Sequence, residues 1–262
     1  MKRLYFCALL ISSSIAVAAQ VKAGLSYSCS LPLHEMQQNI GPAHNLNLLI
    51  TSAFKNFSKL SWGVEAGFGQ YAFFTKKQDI RFPDGSGFSA DVSYSSNIAS
   101  VGMLSRFSFL KKAKVNPFVS GKLGYASFFT KVTIPDPDNP DDCKPLDKNT
   151  PIQDHSFYLA YGAGFQIDIS SKKKQNRAWL EISVNQMHGT KVDYVNVKDI
   201  KTHIHDDMGG PMPISEKTTP LSIRFVNVTT QTIHEHQLAE IYNSPLRLLD
   251  FRIGVVWNLT GE

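Results

Sequence analysis

Apolar and polar residues alternate with period two along most of the chain, the pattern of strands that bury one face. From Leu60 to Phe74, the residues Leu60, Trp62, Val64, Ala66 and Phe68 share one face, and Ser61, Gly63, Glu65, Gly67 and Gly69 share the other. From Phe157 to Ile169, seven apolar residues oppose Tyr158, Ala160, Gly162, Gly164, Gln166 and Asp168. Near the end, Leu249, Phe251, Ile253, Val255, Trp257 and Leu259 oppose Asp250, Arg252, Gly254 and Asn258. Weaker alternation covers Val21 to Leu31, Asn45 to Phe54, Asn97 to Phe109, Pro117 to Phe129 and Ala178 to Gln186. These eight segments each approach the roughly 9–11 residues with which a tilted strand crosses a bilayer.

The connections alternate in length. Lys55 to Lys59, Leu110 to Asn116 and Ser170 to Arg177 are short and basic. Pro32 to Ala43, Thr75 to Ala90, Pro135 to Asp154 and Val195 to Pro245 are long. Short turns on one side and long loops on the other are the habit of outer-membrane barrels. Both termini then lie on the short-turn, periplasmic side.

A soluble barrel also alternates, with its apolar face inward. The polar face decides between the two. It is crowded with Gly, Ser and Asn, which suit the narrow interior of eight strands. A water-facing exterior would carry long Lys and Glu side chains instead. Trp62, Phe107, Phe109 and Trp257 sit near strand ends on the apolar face, as an interfacial girdle would. The pattern predicts an all-β, eight-stranded antiparallel up-and-down transmembrane β-barrel with long external loops.

The start of the chain reads as an export signal. Lys2 and Arg3 precede an apolar run from Leu4 to Ile11, and small residues follow to Ala19. The expected organisation is a signal peptide over 1–19 and a barrel domain over 20–262, with a long external loop over 195–245. No stretch approaches the roughly 20 apolar residues of a membrane helix.

Net charge is +5, much of it in short runs such as Lys172-Lys173-Lys174. No basic stripe interleaved with aromatics suggests nucleic acid. Three cysteines are present, and Cys7 would leave with the signal. Cys29 and Cys143 remain as an even pair in an oxidising compartment, where a disulfide between them is one reading and two unrelated thiols the other.

With these residues laid out, the chain resembles the small porin-like outer-membrane β-barrels common in Bacteroidota. The resembling stretches are Val21 to Leu25, Trp62 to Gly69, Ala99 to Gly124, Tyr161-Gly162-Ala163-Gly164 and Phe251 to Trp257. The chain departs in its long last loop and in its ending Asn258-Leu259-Thr260-Gly261-Glu262, which lacks a terminal aromatic. The resemblance implies a fold and a cell outer-membrane location. It implies little about role, since fold does not determine function.

The candidate chemistry is of three kinds. Glu65, Arg106, Lys122, Asp168, Glu181, Asp250 and Arg252 fall on the inward face. Opposite charges in so narrow a lumen must pair, because an unpaired buried charge is costly. The expected result is a salt-bridge plug, with a gate in a narrow ion path as the competing reading. His203 and His205 form one His-x-His pair, and His234 and His236 form another. On a strand such pairs share a face, and zinc or copper accepts imidazole ligands. The segments Val192 to His205 and Leu221 to His236 would pair as an external hairpin. Polar loop residues with no ligand are the bland alternative. The acidic run Asp136 to Asp142 lacks the glycine of an EF-hand and reads as a solvated loop.

No Gly-x-Ser-x-Gly elbow or Ser–His spacing stands out, so no catalytic residue is assigned. The expectation is a non-enzymatic, monomeric surface barrel in contact with outer-membrane lipid, binding an unidentified ligand or protein through its loops. It needs no cofactor beyond zinc or copper at the histidines. A narrow channel and a lipid-modifying enzyme are the alternatives.

Overall fold

The computed structural model describes residues 18–54, 57–81, 87–110, 113–134, 147–170, 177–195, 219–226 and 233–259. In chain order the strands are β1 (Ala18–Pro32), β2 (Ala43–Phe54), β3 (Leu60–Arg81), β4 (Gly87–Ser108), β5 (Val115–Ile134), β6 (Asp147–Asp168), β7 (Ala178–Val195), β8 (Thr219–Val226) and β9 (Ile233–Asn258). A single short helix, α1 (Glu35–Asn39), lies between β1 and β2 among the described residues.

Each strand from β1 to β6 pairs antiparallel with the next, β7 pairs with β9, and β9 returns to β1. The sheet therefore closes into an eight-stranded up-and-down barrel, as the alternation predicts. Closure pairs both edges of every strand within the ring. The strand β8 stands outside that ring. It pairs only with the first part of β9, from Val226 opposite Ile233 to Thr219 opposite Ile241.

Three expectations about the connections need correction. The strands run further at the loop end than alternation indicates. Lys76 to Arg81 pairs with Gly87 to Val92, so most of the segment expected as a loop from Thr75 to Ala90 is hairpin. Asp147 to Asn149 likewise pairs with Val132 to Ile134. The stretch expected as one long loop over 195–245 contains β8 and the first half of β9. Here the ladder continues from the barrel wall by backbone hydrogen bonding, without needing an apolar face.

The expected pairing of Val192–His205 with Leu221–His236 is not seen among the described residues, and 196–205 lie outside them. Val192 to Val195 faces Ile241 to Ser244, and Leu221 to Val226 folds onto Ile233 to Ala239 instead. The register is set from below, where Asp250 opposite Asn185 carries β9 up along β7. Strand β1 begins at Ala18 and so overlaps the last two residues of the expected signal.

The burial pattern is inverted relative to a soluble barrel. Leu48, Met103, Leu123 and Phe157 are 63–69% exposed on the outer wall, while Glu65, Arg106, Lys122 and Arg252 are 6–8% exposed inside. Apolar residues outward and charges inward is the arrangement that lipid selects and water opposes.

Candidate functional site

The lumen is filled in layers. At the short-turn end, Lys22 lies 4.1 Å over the Trp179 ring, and Leu49, Leu104, Phe118 and Val256 are buried. Above them Arg106 reaches Glu181 through two parallel bonds of 2.7 and 2.8 Å, while Gln166 donates to the same carboxylate at 3.0 Å. The guanidinium also lies 4.1 Å over Phe118. Such bidentate pairing is what makes an arginine–carboxylate contact strong.

The next layer centres on Glu65. Lys122 donates to its Oε1 at 2.8 Å, and Arg252 donates to its Oε2. Arg252 also reaches Asp250 at 3.0 Å, and Ser30 donates to Asp250 at 2.8 Å. Strand direction explains the meeting. Glu65 on β3, Lys122 on β5 and Arg252 on β9 all occupy inward positions of the period-two pattern, so closing the sheet points them at one another. Two glycines make room for the tyrosine above. A Cβ on Gly124 would sit 2.5 Å from Tyr158 Cζ, and one on Gly102 would sit 2.6 Å from its hydroxyl.

The loop end of the lumen is apolar. Met36 and Ile40 from α1 and its exit pack on Tyr71, Ile98, Phe128, Tyr158, Val192 and Leu246. Asn39 donates to the Tyr194 hydroxyl at 3.1 Å, and that hydroxyl meets Ser244 at 2.9 Å. The helix therefore closes the barrel from above. Between the Glu65 layer and this cap lies a cavity of about 30 Å3, lined by Ser28, Asn47, Tyr158 and Arg252 among others. That is room for roughly a water or two.

Six of the seven charged residues expected inside are brought together. Asp168 is not among them. It ends β6 at the short-turn side, half-buried, where its carboxylate accepts a hydrogen bond from the Ser170 backbone at 2.9 Å. It caps the turn because it lies beyond the reach of the stacked layers.

The other expected residues divide by position. His234 and His236 lie on β9 opposite Phe225 and Ile223, while His203 and His205 lie outside the described residues. Cys29 is half-buried on the outward face of β1, and Cys143 lies outside the described residues. No group of three or more His, Cys, Asp or Glu side chains suits a metal among the described residues. Nor does any serine hydroxyl there bond to a histidine. His155 is the cross-strand partner of Ser127, and its ring stacks on Tyr125 instead.

That stacking belongs to a feature that alternation alone missed. Tyr27 with His44, Tyr125 with His155, and Tyr161 with His188 each pair with near-parallel rings 5.1–6.0 Å apart on the outer wall. In each case the histidine sits one inter-strand level nearer the loop end than the tyrosine, as the registers Cys29–His44, Ser127–His155 and Leu159–His188 show. The Tyr27 hydroxyl meets His44 Nδ1 at 2.5 Å, and the Tyr161 hydroxyl meets His188 Nε2 at 3.3 Å. At the other end of the wall, Phe107 and Phe109 meet edge to face beside the short turns, and Trp257 shares that end. The only signal in the sequence was a histidine in phase with the outward residues of each strand.

No family model matches the chain, and no curated protein matches it. Several solved structures are similar to it at low sequence identity. Neisserial surface protein A is 8% identical over 90% of this chain and 94% of that one, with a TM-score of 0.38. A major outer membrane protein from Thermus thermophilus is 10% identical over 91% and 99%, with a TM-score of 0.37. Ail, the attachment invasion locus protein of Yersinia pestis, solved with the heparin analogue sucrose octasulfate, is 13% identical over 92% and 97%, with a TM-score of 0.33. Likeness at this level carries no argument about activity.

Proposed function

We propose that this chain is a non-enzymatic barrel of the cell outer membrane that holds its loop-end hairpins at the surface and does not conduct. The observation that carries this reading is the inverted wall. Its outward residues are apolar between two aromatic ends, and its charges are paired inside. A groove of about 610 Å3 on that wall, lined by Val64, Met103, Leu123 and Phe157, offers acyl chains an apolar bed.

The filled lumen supports a stable support over a pore. Charged layers and the α1 cap stack along the same axis, and small barrels are generally packed this way. The extension formed by β8 and β9 is then the part that meets the exterior, where binding roles concentrate. Reconstitution of the full chain into planar bilayers tests this directly. Protease-resistant insertion with no unitary conductance is expected. Steady ohmic steps would replace the support with a channel.

A further inference from the structure

The third Tyr–His pair differs from the other two in its neighbours. His188 on β7 is the cross-strand partner of Arg247 on β9, and Lys191 follows on β7 opposite Pro245. All three side chains face outward, since the alternating positions Val192, Leu246 and Leu248 are buried inside. Tyr161 lies beneath them, stacked on His188 and within 3.1 Å of Gln186 Oε1. Two fixed cations, an imidazole and a phenol therefore gather where the exposed apolar wall ends. Two carboxylates stand one level further out, each already accepting a hydrogen bond: Asp193 takes the Asn243 amide at 2.5 Å, and Asp154 takes the Asp193 backbone N–H at 2.7 Å.

We propose that this rim patch binds the phosphate monoester head group of a lipid in the surrounding leaflet. The inference rests on the membrane reading above. A phosphate monoester carries close to two negative charges, matching Arg247 and Lys191, and both side chains favour phosphate. Its height on the wall matters as much as its charge. A ligand anchored by acyl chains is delivered sideways to the edge of the apolar band, whereas a soluble anion is not. Basic clusters and aromatic belts at that depth are how membrane proteins hold head groups. The pair at Tyr125 has a single lysine further along its strand, Lys131, which lies 5.4 Å over the Phe129 ring.

Native mass spectrometry of the full chain, folded in maltoside micelles carrying phosphatidic acid or phosphatidylcholine, reads the site. Phosphatidic acid is expected to be retained selectively. Losing two charge-assisted bonds in the R247Q/K191Q double variant should weaken it roughly tenfold or more. K77Q, at an exposed lysine opposite Asp91 on the β3–β4 extension, should leave retention unchanged. Equal retention of the two lipids, or equal loss in K77Q, overturns the proposal. Displacement by inorganic phosphate at concentrations matching the lipid overturns the lipid as its source. Insertion into pure phosphatidylcholine vesicles is scored separately. Failure there removes the membrane reading, while success with no phosphatidic acid preference removes only this site.

Discussion

Glu65 accepts from two cations in a wall where solvent hardly reaches it, and Arg252 in turn ties Asp250 into the same layer. Removing its charge would leave Lys122 and Arg252 buried around a neutral amide. Breaking a buried pair in this way costs about 3–5 kcal/mol. Glu65→Gln should therefore lower the urea midpoint of the full chain in micelles by that equivalent. Asp168→Asn is the contrast. Its carboxylate sits at a turn outside the layers, and substitutions away from such networks usually stay within about 0.5 kcal/mol. Equal losses for the two would mean that the layers do not act as a unit. The inward phase of six charges was legible from alternation, because period two places every second residue on one wall. That phase could not show where a strand ends relative to its neighbours, so Asp168 read as one of them. The Tyr–His pairs escaped for a related reason. Each joins two strands, and single-strand periodicity carries no inter-strand register.

The helix α1 has a single turn's worth of residues, too few to be stable in isolation. It holds because Met36 and Ile40 are fully buried in the barrel mouth and Asn39 bonds Tyr194. Met36→Ala removes its largest apolar anchor, and buried truncations of this kind cost about 2–5 kcal/mol. The loss should be local. Amide exchange is expected to accelerate at Val192, Tyr194 and Leu246, with Glu181 and Arg106 still protected. Uniform acceleration through the barrel would show that the cap and the charged layers unfold together. At this scale the eight wall strands were readable, since each carries a lipid-type outward face. Their loop-end extensions were not. The run Lys76-Lys77-Gln78-Asp79 has no apolar residue, so it gives no period to detect. The same holds for α1, whose five residues fall short of a helical repeat.

The whole molecule is organised by one inversion. Its core is a stack of ion pairs and an apolar cap, and its surface is a continuous apolar wall. The short-turn end carries Trp62, Phe107 and Trp257, and the loop end carries the tyrosines and histidines, so the wall has two chemically distinct edges. The closed ring leaves no free edge within the wall, so the outward side chains are its contact with the surroundings there, while β8 stands beyond the ring. The most direct test is the accessibility of spin labels on the full chain in vesicles. Labels at Leu48→Cys, Leu123→Cys and Phe157→Cys should collide readily with dissolved oxygen and hardly at all with a water-soluble nickel chelate, with Glu35→Cys on α1 showing the reverse. Free collision of the chelate with all four positions would contradict a wall built for lipid.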